Sequence, residues 1–125
     1  MATAPIADQQ IRLRPASESP GAADGFRILI DRLWPGGPER SSLRVDGWLK
    51  NAAPSTRLRR WYGHDPEKWT EFQLRYRREL AAHPKALACL LDAAHIGPIT
   101  LVYTAGDEQR NDAVVLKEVV DERLW

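Results

Sequence analysis

Cysteine occurs once in these 125 residues, as Cys89, so the chain can close no internal disulfide and build no multi-cysteine metal site. Long apolar runs are missing as well, which argues against a membrane-spanning helix. The opening "MATAPIADQQ" has neither the basic region nor the apolar core of a secretory signal, and the expected compartment is the cytoplasm. Net charge is nearly absent at +1, giving no global pull toward nucleic acid or membrane. There is no Walker phosphate loop, no G-x-G-x-x-G and no Ser-His-Asp motif, so no standard nucleotide cradle or serine nucleophile is expected. The three histidines (His64, His83 and His95) are isolated and lack metal-ligand spacing, so no metal is expected. A site of His64 with Asp31 or Asp107 would need a fold that brings them together.

What remains is ordinary in amount and uneven in placement. A charged fraction of 28% and a hydrophobic fraction of 43% suit one soluble domain with one core. Residues 1–10 read as a loose tail and 11–125 as that domain. Between Ser55 and Arg78, the basic residues Arg57, Arg59, Arg60, Lys68, Arg75, Arg77 and Arg78 outnumber Asp65, Glu67 and Glu71. From Asp107 to Arg123 the balance reverses. A basic middle and an acidic last helix follow, either as solvated faces or as a surface for an anionic ligand or partner.

The pattern predicts an α/β domain. "IRLR" alternates as a short strand, and "FRILI" is a strand ending at Asp31. "WPGGPERSS" reads as turn, and its prolines and glycines argue against helix. "LRVDGWLKNAAP" predicts a short helix with Trp48 and Leu49. Ser55 is a suitable N-cap for a helix carrying Leu58, Trp61 and Tyr62, with Gly63 as its stop. Asp65 and Pro66 open a longer helix whose Trp69, Phe72, Tyr76 and Leu80 share a face. "PKALACLLDAAHIG" places Leu87, Leu90, Leu91 and Ala94 inward, with Cys89 beside that stripe as a small structural thiol. "PITLVYTAGD" is a strand buried on both faces, and an amphipathic helix with Ala113, Leu116, Val119 and Val120 closes the chain.

Apolar strands separated by helices imply a short, mostly parallel sheet with helices on both faces. Such sheets bind ligands beyond the carboxyl ends of their strands. Asp31, Arg32 and Trp34 leave one such end, and Tyr103, Thr104 and Asp107 leave another. If the two strands are neighbours, a crevice forms with Asp31 and Asp107 as acid-base groups. Arg32, Trp34, His64, Tyr103 and Asn111 would be its binding residues. Each has a plainer role available. Asp31 and Arg32 can satisfy loop backbone and each other, His64 can cap, Tyr103 can be core, and Asp107, Asn111 and Asp112 compete to cap the last helix.

The words "DGFRILIDRLWPGG", "WLKNAAPSTRLRRWYGHDPEKWTEF", "RYRREL" and "LVYTAGDEQRNDAVVL" resemble the YeaO-like branch of the bacterial domain-of-unknown-function family numbered 488. The resemblance runs from about Ile11 to the C-terminus. It carries the family pattern onto Asp31, Arg32, Leu33, Trp34 and Pro35, and onto Ala53, Pro54 and Ser55. Trp61, His64, Asp65, Pro66 and Trp69 match too, as do Tyr103, Asp107, Asn111 and Ala113. The family usually has arginine where this chain has Gly36, and histidine where it has Asp112, which weakens a catalytic role. The longer branch carries a cysteine at the place of Tyr103 and is faintly similar to rhodanese, so thiolate sulfur transfer has no nucleophile here. Some members carry a uroporphyrin-III C-methyltransferase label, for which this sequence offers no glycine-rich methyl-donor site.

Two functions follow as expectations. One is a crevice for a small molecule or anion, as an enzyme of unidentified reaction. The other is a non-catalytic binding or interaction module using the Arg-rich segment and exposed tryptophans. Arginines among Trp61, Tyr62 and Tyr76 could hold single-stranded nucleic acid, but periodicity explains those aromatics better as core. The sequence names no cofactor, gives no membrane partner, and leaves a homo-oligomer open.

Overall fold

The computed structural model describes residues 11–124, so the expected tail over 1–10 lies outside the described residues, as does Trp125. The β-branched run Ile99–Tyr103 forms strand β4, buried at all five positions, and the sheet is built around it. Strand β1 (Ile11–Pro15) pairs with it on one side and β2 (Phe26–Leu29) on the other, both parallel, with Ile11 and Phe26 each opposite Ile99. A two-residue edge strand, β3 (Gly47–Trp48), completes the order β1-β4-β2-β3, also parallel. Among the described residues five helices accompany the sheet: α1 (Glu39–Ser42), α2 (Thr56–Tyr62), α3 (Trp69–Ala82), α4 (Pro84–Ile96) and α5 (Asp112–Leu124). None of the described helices is long and apolar enough to cross a membrane.

Strand alternation divides the core unequally. Ile11, Ile28, Ile30, Ile99, Leu101 and Tyr103 face the large cluster supplied by α2 to α5. Leu29 and Val102 face the other way, onto Leu43, Val45 and Ala16. Within the large layer, Tyr62 stacks on Phe72 with ring centroids 4.4 Å apart, and Tyr76 donates its hydroxyl to the Ala52 carbonyl. Arg77 of α3 pairs with Glu118 and Glu122 of α5, so part of the basic middle meets the acidic last helix.

Local chemistry sets the helix ends. Ser55 Oγ accepts from the Leu58 N–H at 3.1 Å and donates to Glu79 Oε2 at 2.6 Å, while the Ser55 N–H donates to Glu79 Oε1 at 2.8 Å. One cap therefore starts α2 and ties it to α3. Ser55→Ala is expected to lower stability by about 1–2 kcal/mol, read as a shift in urea midpoint at unchanged slope. Gly63 ends α2 with φ of 55°, as its position in the sequence implies. Asp65 caps the next start, whose first turn (Pro66–Lys68) is a 3-10 turn leading into α3.

Three local expectations are corrected. Trp48 lies on β3 rather than in a helix, because β2 offers acceptors. The Asp46 N–H donates to the Arg27 carbonyl and the Leu49 N–H to the Leu29 carbonyl, leaving only Lys50–Ala52 as a 3-10 turn. "PERSS" does make one helical turn, α1, since its proline precedes the helical residues rather than interrupting them. Cys89 is exposed on the outer side of α4, because the buried stripe runs through Ala86, Leu87, Leu90 and Ala94.

Candidate functional site

The carboxyl ends of β2 and β4 are adjacent, and the chain leaving them opens a crevice of about 490 Å³ against α2 and the start of α5. The loop after β4, through Thr104, Ala105 and Gly106, forms one wall. Thr56, Arg59 and Arg60 come from α2, Asn111 and Asp112 from the start of α5, and Tyr62 and Phe72 close the apolar back. The Tyr62 hydroxyl donates to the Arg110 carbonyl at 3.2 Å, tying α2 to the loop across the crevice. A second chamber of about 460 Å³ adjoins the first, lined by Trp34, Gly36, Glu39 and Glu108.

Asp31 stands on the wall of both chambers and is only 7% exposed. It accepts from the Thr104 hydroxyl, and burial still raises its pKa, opposed by that hydrogen bond and by the Arg59 charge. Asp112, in the first turn of α5, is partly buried beside it. Burial first, and then the Asp31 charge, push Asp112 up to about 7. Burial and the Asp31 charge both oppose ionisation of Asp112, so it keeps its proton to higher pH than an exposed carboxyl does.

Arg59 is the cation facing both acids, lowering the pKa of each, and its side chain makes no hydrogen bond among the described residues. Arg32 reaches the Ala53 and Pro54 carbonyls through one terminal nitrogen, at 3.2 and 3.4 Å. Its Nε is buried with no acceptor, and no ion pair joins it to Asp31 among the described residues. His64 lines the crevice with φ of 56°, a left-handed conformation that is unfavourable for a side-chain-bearing residue and that often marks functional sites.

Asp31, Arg32, His64 and Asn111 thus line the first chamber, and Trp34 the second. Asn111 is also the N-cap of α5, accepting from the Val114 N–H at 3.1 Å. Tyr103 and Asp107 line neither. Tyr103 is 3% exposed and points into the helix-covered core, since alternation puts it on the face of Leu101. Asp107 is held in its own turn, accepting from the Gln109 and Arg110 N–H groups and from Arg110 Nε, which keeps its pKa low. The carboxyl facing Asp31 is therefore Asp112. Arg59 was visible in the sequence only as part of a basic segment. The spacing of Thr56, Arg59 and Arg60 at i, i+3 and i+4 after the Ser55 cap is the signal that gathers them on one helix side.

The family model described as the inactive DUF488-N3 subclade matches residues 10–125. The chain is 39% identical over 104 residues to the uncharacterized protein YeaO of Escherichia coli K12, covering 83% of this chain and 87% of that one. It is 36% identical over 118 residues to the uncharacterized protein Rv3073c of Mycobacterium tuberculosis H37Rv, covering 94% and 99%. No solved structure matches. The family model and these identities span most of the chain, which is thus a YeaO-like member of the DUF488 family.

Proposed function

We propose that the chain is a binding protein for a small anionic molecule, held in the first chamber at the carboxyl ends of β2 and β4. The observation that carries this reading is the set of uncommitted donors there. The exposed guanidinium groups of Arg59 and Arg60 line the chamber without a hydrogen-bonded acceptor among the described residues, and Arg32 buries an Nε that lacks one. Leaving a charged donor buried and unmatched costs free energy that a bound anion would return. The positive end of α5 lies beside the same chamber and favours the same charge.

Binding is favoured over catalysis by two points. Tyr103, the position at which the resemblance puts the longer branch's cysteine, is a tyrosine buried away from the chamber. The matching family model also describes an inactive subclade. A second reading, an acid-base enzyme working through Asp31 and Asp112, draws on the carboxyl held near pH 7. The two readings differ over what the carboxyls do. As a receptor the chain needs only Asp112 to be protonated, which reduces repulsion of the anion. Titration with sulfate, whose charge is constant across the range, is expected to show saturable binding that strengthens from about pH 8 to pH 5.5. Asp112→Asn should bind at pH 8 as the native chain does at pH 5.5. No saturable binding at low salt would refute the receptor reading.

A further inference from the structure

The first chamber explains an anion but not the second, which is nearly as large and shares Asp31, Leu33, Arg59, Thr104, Ala105 and Gly106 with it. A bare inorganic anion would leave most of the combined space empty. The two chambers also differ in charge. The first gathers Arg32, Arg59, Arg60 and Arg110 around Asp31 and Asp112. The second has Arg59 as its one arginine, at the shared boundary, and adds Glu39 and Glu108. An anionic group is therefore favoured in the first and repelled from the second.

The second chamber also has an aromatic wall that is held in place. Trp34 is 39% exposed, yet its Nε1 donates to the Arg40 carbonyl at 2.9 Å, and its ring meets Trp48 edge-on at 5.5 Å. Trp48 is fixed in turn, donating Nε1 to the Asp31 carbonyl at 2.7 Å with Lys50 Nζ 4.8 Å from its ring centroid. A large aromatic kept half in water on anchored supports is prepared to contact a flat group at low ordering cost.

We infer that the ligand has two parts: an anionic head bound at Arg59 in the first chamber, and a flat, amino-bearing ring packed beside Trp34 in the second, the chemistry of a nucleoside monophosphate. Glu39 and Glu108 supply acceptors for ring amino groups, and the shared boundary at Asp31 and Thr104 spans the sugar. This inference rests on the anion reading of the first chamber and adds the ring to it.

AMP and ribose 5-phosphate, titrated separately by calorimetry, test it. AMP is expected to bind at least about tenfold more tightly, the gain typical of one stacked base. Trp34→Ala should bring the two ligands to parity without weakening ribose 5-phosphate, while Trp34→Phe keeps the preference. Equal affinities in the native chain, or an AMP preference that survives Trp34→Ala, would overturn the two-part ligand. If sulfate and ribose 5-phosphate both bind and AMP gains nothing, the ring inference fails alone. If neither binds, the anion reading fails with it.

Discussion

Asp112→Asn is expected to stabilise the folded chain by about 2–4 kcal/mol at pH 8 and to change little at pH 4.5. The physical cause is that Asp112 is raised from 3.8 to about 7 by burial and by the neighbouring Asp31 charge. A carboxyl whose folded pKa lies above its unfolded value binds its proton more tightly when folded. Its contribution is greatest below about pH 4 and is lost as pH rises through about 7. Asparagine keeps the shape and removes the charge, so the loss disappears. Asp31 ionises while Asp112 still holds its proton, and its own shift comes from burial, Thr104 and Arg59, so Asp112→Asn should leave its titration little changed. Carboxylates held low by their partners, Asp107 and Glu122 among them, act in the opposite sense and erode stability at acid pH. Urea midpoints at several pH values provide the check. A native midpoint that does not fall between pH 5 and 8 would show that Asp112 is not a buried, charge-opposed acid.

Arg59→Ala is expected to weaken sulfate by about 10- to 100-fold, the range for losing a charge-assisted hydrogen bond. Arg59 is exposed and its side chain makes no hydrogen bond within the described fold. Its backbone role, accepting from the Gly63 N–H at 3.0 Å, is kept by alanine. Stability should therefore change by less than about 1 kcal/mol at neutral pH. The substitution also removes the cation that lowers both acids, so the Asp31–Asp112 pair should titrate at higher pH. A cut in affinity together with an upward shift in that titration identifies Arg59 as the charge serving both. Affinity kept within about twofold would place the anion elsewhere.

The central architecture was legible because its signals are physical and local. Continuous apolar runs at 26–30 and 99–103 imply neighbouring, fully covered parallel strands, and that pairing forms. From it follows the adjacency of Asp31 and the loop after Tyr103. Ser55, Gly63 and Asp65 act as their capping chemistry implies. Trp48 was missed because a two-residue strand has no period to read, and its pairing depends on donors and acceptors of β2.

Which acid of the loop would face Asp31 was not legible. The path from Thr104 to Asp112 is set by Asp107 bonding its own turn and by Asn111 taking the cap. Those choices rotate Asp112 into the wall, and no sequence spacing dictates them. Tyr103 was readable in principle, since β4 alternation puts it with Leu101 on the core side. Asp112, which the sequence offered only as a competing cap of the last helix, lines the crevice, and burial and the Asp31 charge raise its pKa to about 7.

The most direct measurement is a backbone amide chemical-shift map of the native chain titrated with sulfate at low ionic strength. Saturating changes are expected to centre on residues 53–60, on 104–112 and on Arg32, and to vanish in Arg59→Ala. Shifts confined to other surfaces, or the same shifts persisting in Arg59→Ala, would contradict an anion site at the carboxyl ends of β2 and β4.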